Sequence, residues 1–455
     1  MLRNISWNML ARLAGVLLGF PETILVAHLL GPQGQGMYKL ALLIPSLLGL
    51  VTNLGINLAN VYYVGQDARN ARTAVANSLW SGLILGTLAA LVYLPFAVPI
   101  HNRFLAESPY YYELIGVVLL PVSLINYYLA HIFTGLKELK PPSIWTVCMA
   151  IMTLSGAAFV GLLTPASGSE PVPNVIEERV GGMVVLYALV IPVSSTAVYL
   201  WLLGRRGLLS LRGDFAQWRR SVTYGIRGYI ANLFQFLNFR LDSIILAAYL
   251  GATEVGIYSL AVLLSEFLWM IGNSVAMILF PTTAGQTEHQ ANSLTARACR
   301  QVTWITLAEA VVLGASAWWL VPFIFGERFR PSVAPLWLLL PGTVALIIPN
   351  VLTAHLAGRG RPQIGTLAAG VSLVATVALD LLLIPRLGVA GAALASSAAY
   401  TLTALVVLTV FRQVTGLPWA AVVIPRAEDW RDMLALVARG RRYLGRRLAG
   451  LRPEV

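Results

Sequence analysis

Residues 22–43 read ETILVAHLLGPQGQGMYKLALL, and residues 242–263 read DSIILAAYLGATEVGIYSLAVL. Aligned at a constant offset (242 against 22), Leu30, Gly31, Gly36, Tyr38, Leu40 and Ala41 recur as Leu250, Gly251, Gly256, Tyr258, Leu260 and Ala261. A repeat of this length and spacing reads as a duplicated structural unit. Each copy is an apolar run, a Gly-containing break and a second apolar run, the pattern of two long helices joined by a tight turn.

The rest of the chain extends that pattern. Of 455 residues, 57% are hydrophobic and only 11% charged, against the ~25% charged of soluble domains. We read twelve windows near 20 residues long: 7–29, 37–63, 76–98, 111–134, 143–164, 180–203, 222–249, 255–281, 301–325, 332–357, 363–385 and 387–411. They lack the alternation of a barrel strand, so each is expected as a transmembrane helix whose backbone is satisfied internally. Recurrence along the whole chain argues against a cleaved signal peptide at its start.

An even number of spans puts both ends of the core on one side. Arg69, Arg72, Lys137, Lys140, Arg205, Arg206, Arg212, Arg219, Arg220, Arg297, Arg300, Arg359, Arg361 and the arginines from Arg412 onward fall on that side. Only Arg103, Arg179, Arg328, Arg330 and Arg386 face the other. By the positive-inside rule both termini are expected in the cytoplasm, and the net charge of +12 is topological rather than a sign of nucleic acid. The two cysteines, Cys148 and Cys299, have neither metal-ligand nor disulfide spacing, so no metal or cofactor is expected.

The chain therefore divides into a six-helix bundle over 1–203, a basic linker over 204–221, a second six-helix bundle over 222–412 and a basic tail over 413–455. Because six is even, the second bundle enters the membrane in the same sense as the first. The expected fold is all-α, with about twelve transmembrane helices in two pseudo-twofold-related bundles around a central cleft. In the tail, Trp430, Met433, Leu434, Val437, Leu444, Leu448 and Leu451 keep helical spacing against six arginines, the pattern of an amphipathic helix on anionic lipid.

The LG-x4-G-x-Y-x-LA turn after spans one and seven, FRLDSIILA at 239–247 and LGVAGAALA at 387–395 together resemble polysaccharide flippases of the Wzx type. These belong to the multidrug and oligosaccharidyl-lipid exporter superfamily. The resemblance covers the chain to about residue 412. It implies export of an undecaprenyl-diphosphate-linked oligosaccharide across the bacterial plasma membrane by alternating access, usually with ion coupling. An ion-coupled multidrug exporter of the same superfamily is the alternative. An enzyme is not expected, because the outward loops are short, and an ATP-driven pump is not expected either, because a G-x4-G-K-[ST] phosphate loop is absent.

Ionisable and amide groups inside spans are costly and mark candidate sites. The offset that aligns the repeat pairs Glu22 with Asp242 and Asn53 with Asn273. Glu22 lies eight residues before Leu30, or about 12 Å below the outward end of its helix at the α-helical rise. Gln235, Asn238 and Asp242 line one side of span seven, and Asn53, Asn57 and Asn60 do the same on span two. Such stripes suit an aqueous cleft or helix-to-helix adhesion equally well. Arg240 is the foremost candidate for a phosphate or for pairing with the acid, while Arg12 and Arg227 near the cytoplasmic ends are candidate diphosphate contacts. Glu266, Glu309 and the Ser372, Thr376, Asp380 stripe are candidate carriers of a coupling proton or cation. Gly31, Gly36 and Tyr38 read as marks of the fold, Tyr38 as an interfacial anchor; His28, His131 and His355 also read as interfacial.

Overall fold

The computed structural model describes residues 2–164, 173–429 and 431. Each of the twelve windows is helical along nearly its whole length. The first helix, α1 (Leu2–Thr52), carries spans one and two, broken at Gly31 (φ 62°, ψ −177°). The stretch that follows is α2 (Ile56–Gln66), α3 (Ala71–Phe104), the bent pair α4 (Tyr110–Val118) and α5 (Leu120–Gly135), then α6 (Lys140–Leu163). Span six is α7 (Pro173–Val185) and α8 (Ile191–Gly204), joined by a π turn over Leu186–Val190.

Span seven is α9 (Phe215–Asn238) plus α10 (Leu241–Leu250), and span eight is α11 (Ala252–Glu266) plus α12 (Trp269–Ala284), bent by 47°. The remainder is α13 (Glu288–Phe325), α14 (Val333–Gly358), α15 (Gln363–Leu387), α16 (Val389–Thr415) and the short α17 (Trp419–Val423). Among the described residues, nine helical stretches are long and apolar enough to cross a membrane, and eleven if each bent pair counts as one. The break at Gly31 divides the first again. Large apolar side chains stand outward on α3 (Leu88, Leu91, Phe96) and α13 (Val312, Trp319, Phe323), as lipid-facing surfaces require.

Helices pack into two compact units that do not follow chain order. One contains the described residues to Ala261 with Trp318–Pro335 and Val377–Ala392; the other contains Val262–Ala317, Leu336–Thr376 and the described residues from Ala393. This division cuts the chain elsewhere than at 204–221, and the six-plus-six division remains a proposal. In the first unit α1 packs on α4, α6 and α7, and α5 packs on α2, α3 and α8. Its cores include Val64, Val75, Leu129, Phe133 and Leu203 in one cluster and Ile56, Leu120 and Tyr128 in another. The second unit is centred on Leu279, Ile347, Val351, Leu356, Val407 and Phe411.

The repeat appears in the first unit as a reciprocal contact. A Cβ on Gly36 would lie 1.7 Å from the Ala252 carbonyl oxygen, and one on Gly256 would lie 1.8 Å from the Pro32 carbonyl oxygen. Position 252 is the counterpart of 32, so the same contact is made twice in opposite senses, the signature of a local twofold. Gly31 and Gly251 share the same unusual backbone (Gly251 φ 100°, ψ −175°), which only glycine adopts without cost.

The two breaks solve one problem differently. The N–H at the start of a helix has no internal partner. In the first copy that position is Pro32, which has no N–H to satisfy. In the second it is Ala252, whose N–H is accepted by Glu107 Oε2 at 2.8 Å.

The 204–221 linker is docked, not loose. Asn77 exchanges two 3.0 Å hydrogen bonds with the Asp214 backbone, Trp80 Nε1 donates to the Leu211 carbonyl at 3.0 Å and Trp218 Nε1 donates to Ser81 Oγ at 2.9 Å. Asp214 then caps α9 by accepting from the backbone N–H of Ala216 and Gln217.

Candidate functional site

The acid of each repeat copy meets a tyrosine. On α10, Asp242 is 2% exposed, and its Oδ2 accepts a 2.7 Å hydrogen bond from Tyr258 Oη on α11. Its Oδ1 accepts from the Ser243 backbone N–H at 2.7 Å. On α1, Glu22 Oε1 accepts from Tyr187 Oη at 2.6 Å, and Tyr38 stacks edge-on to the Tyr187 ring at 5.6 Å. Tyr38 and Tyr258 are thus buried beside the acids. Their signal was present in the repeat, because the acid and the tyrosine recur together at the same separation.

Asp380 on α15 is fully buried and close enough to Asp242 for the two charges to interact. Neither Asp380 oxygen accepts a hydrogen bond among the described residues. Asp242 and Asp380 are thus two buried carboxylates of one unit, and a carboxylate out of water is costly unless its charge is paired or neutralised.

Arg240 makes no direct ion pair with either acid among the described residues, although it stands close enough for its charge to act on Asp242. It sits at the break between α9 and α10, exposed, with its guanidinium 5.9 Å from the Phe236 ring centre. Tyr258 and Ser243 already occupy the Asp242 oxygens. Asn238 is buried on the same stretch, whereas Gln235 is exposed.

The amide stripe on span two is buried among neighbouring helices. Asn60 Nδ2 donates to Ser78 Oγ at 2.9 Å, and the Asn53 backbone carbonyl accepts from Tyr128 Oη at 3.1 Å. The Oδ1 atoms of Asn53 and Asn57 accept no hydrogen bond within the described structure. In the second unit, Asn273 is exposed and its Oδ1 accepts from Asn350 Nδ2 at 2.6 Å, so the two repeat-related asparagines lie in unlike surroundings. Glu266 and Glu309 are half-buried in that unit. Ser372 and Thr376 are buried along α15. The side chains of Arg12 and Arg227, and the tail from 432 with Trp430, lie outside the described residues. His355 is buried and hydrogen-bonded to Thr295 Oγ1 at 2.8 Å.

A duplicated, glycine-broken helical array with buried acids inside its spans defines a multi-pass membrane transporter fold. The family model described as "Polysaccharide biosynthesis protein" matches residues 1–285, and that of "Lipid II flippase MurJ" matches residues 179–441. The chain belongs to the polysaccharide biosynthesis protein family. It is 24% identical over 371 residues to the succinoglycan biosynthesis transport protein ExoT of Rhizobium meliloti (strain 1021), covering 79% of this chain and 69% of that one.

Solved structures share the fold. The inward closed lipid II flippase MurJ aligns with a TM-score of 0.71 at 14% identity, covering 91% of this chain and 88% of that one. An inward-facing multidrug resistance MATE family transporter of the MOP superfamily aligns with a TM-score of 0.71 at 13% identity, covering 88% and 94%.

Proposed function

We propose that this chain is a flippase that carries an undecaprenyl-diphosphate-linked oligosaccharide from the cytoplasmic to the outer leaflet of a bacterial plasma membrane, by alternating access and without covalent chemistry. Family membership and the succinoglycan transport relative support the class of cargo. The observation that carries the mechanism is the Asp242 and Asp380 pair on spans seven and eleven, joined through Asp242 to Tyr258.

A buried pair of acids that takes up a proton or a cation loses net charge, and the burial cost of closing around it falls. Released on the opposite side, the same ion resets the pair. This supplies a reason for ion coupling in a chain with no nucleotide-binding loop. Topology follows the arginine distribution, with both termini cytoplasmic. The basic stretch beyond residue 429 is proposed to meet anionic lipid, as its arginine content implies.

The test is the sidedness of lipid-linked oligosaccharide in cells lacking this chain. Accumulation on the cytoplasmic face, relieved by wild type but not by a stably expressed Asp242→Asn variant, is the expected result. The fold shared with a multidrug transporter favours a second reading, export of organic cations. Unchanged glycan export with altered sensitivity to cationic drugs would replace the first reading by the second.

A further inference from the structure

A second feature lies away from the acids, in the first unit, where the end of α2 meets the start of α9. A cavity of about 1200 Å3 opens there, lined by Tyr62, Tyr63, Tyr224, Phe215, Arg219 and Arg220 among others. Tyr62 and Tyr224 are stacked with ring centres 4.4 Å apart and planes 16° apart, and Tyr63 closes the group edge-on at 5.8 Å from Tyr224. A smaller polar lobe of about 240 Å3 shares Tyr63 and Arg220 and adds Asn70, Asp214 and Gln217.

The charge at this mouth is net positive, two guanidinium groups against one carboxylate, Asp214. Arg219 and Arg220 are exposed, and neither forms an ion pair among the described residues. The acid in the lobe, Asp214, already has its Oδ1 committed to the α9 cap. Guanidinium groups bind phosphate oxygens by paired, charge-assisted hydrogen bonds, and flat aromatic faces offer apolar area and a polar rim. The arrangement is rigid where it needs to be, because the linker leading into α9 is pinned to α3 by Asn77, Trp80 and Ser81.

We propose that this mouth is a loading site for the glycosyl-diphosphate headgroup of the cargo lipid: Arg219 and Arg220 take the diphosphate, the tyrosine group packs on the first sugar, and Asn70 and Gln217 meet its hydroxyls. This rests on the flippase reading and deepens it. The site is on the same side of the membrane as the basic segments, so it would engage cargo before the acid pair does. A bulk phospholipid has one phosphate diester and no sugar for the aromatic surface, so the combination selects against it.

The test uses the full chain in nanodiscs of zwitterionic lipid and three probes: farnesyl-diphosphoryl-glucose, farnesyl diphosphate and phosphatidylglycerol. The double variant Arg219→Gln, Arg220→Gln is expected to weaken both diphosphoryl probes by roughly tenfold or more. Tyr224→Leu is expected to weaken only the glucosyl probe. Arg212→Gln, an exposed neighbour outside the cavity, serves as the charge control. Equal displacement by phosphatidylglycerol would overturn the proposal, as would unchanged affinities in both variants when wild type binds. A wild-type chain that fails to relieve lipid-linked glycan accumulation in cells would instead overturn the flippase reading itself, whatever the probes do.

Discussion

Tyr258 Oη donates a 2.7 Å hydrogen bond to Asp242 Oδ2 across the break at Gly251, so the two halves of one repeat copy are tied through the acid. A hydrogen bond to a charged group contributes about 1.5–3 kcal/mol. Tyr258→Phe keeps the ring and removes the hydroxyl that makes this bond. It should leave expression intact and reduce glycan export, with Asp242→Asn reducing it further. Export at wild-type level in Tyr258→Phe would separate the tyrosine from the mechanism.

The reciprocal crossing of Gly36 and Gly256 leaves no room for a methyl group, because the obstructing atoms are backbone carbonyls and not flexible side chains. Overpacking typically costs roughly 1–3 kcal/mol, and more where the neighbour cannot yield. Gly36→Ala and Gly256→Ala should each lower the melting temperature of the detergent-purified protein. Gly19→Ala, with nothing within 4 Å of its added Cβ, should not.

The capping difference between the copies can be tested by exchange. Glu107→Ala should destabilise by about 0.5–2 kcal/mol, the usual worth of a cap. Ala252→Pro copies the first repeat, where Pro32 follows a glycine of matching conformation. In the Glu107→Ala background it should restore most of the lost melting temperature, because the N–H that needed the cap is gone. A further loss on adding the proline would refute the account.

Beyond span twelve, α17 and the residues after it are held to α13 by a buried ion pair. Arg300 Nε and Nη2 donate to Asp429 at 2.7 and 3.1 Å, Trp304 Nε1 donates to the Val423 carbonyl at 3.0 Å and the Arg426 N–H donates to Asp429 Oδ2 at 2.8 Å. Burial acts to raise the Asp429 pKa, but the hydrogen bonds from Arg300 and Arg426 and the Arg300 charge outweigh it and hold the carboxyl below its ordinary range. A group depressed on folding contributes stability above its unfolded pKa, near 3.9, and loses it as pH falls through the folded value. The 419–429 segment should therefore become protease-sensitive only in acid below about pH 4. Arg300→Ala should make it sensitive at neutral pH, since removing one partner of a buried pair costs roughly 3–5 kcal/mol. Protection that does not change with the variant would refute this assignment.

The amino-acid sequence alone determined the helical membrane fold, the number of windows and the duplicated turn. Each of these is a local matter: a span must satisfy its own backbone hydrogen bonds and hide its own polarity, so about 20 consecutive residues carry the information. The glycines at 31, 36, 251 and 256 were legible for the same reason, as departures from that local rule. Hydropathy does not say how each helix is rotated about its axis, and that rotation decides which side chains meet. Only the tertiary structure therefore joined Tyr258 to Asp242, brought Asp380 within electrostatic range of the same acid, set Arg240 over the Phe236 ring and paired Arg300 with Asp429. The two hydrogen-bonded pairs link residues 16 positions apart, Tyr258 and Asp242, and 129 apart, Arg300 and Asp429. They exist because packing one helix face against another settles the direction of every polar group on it at once.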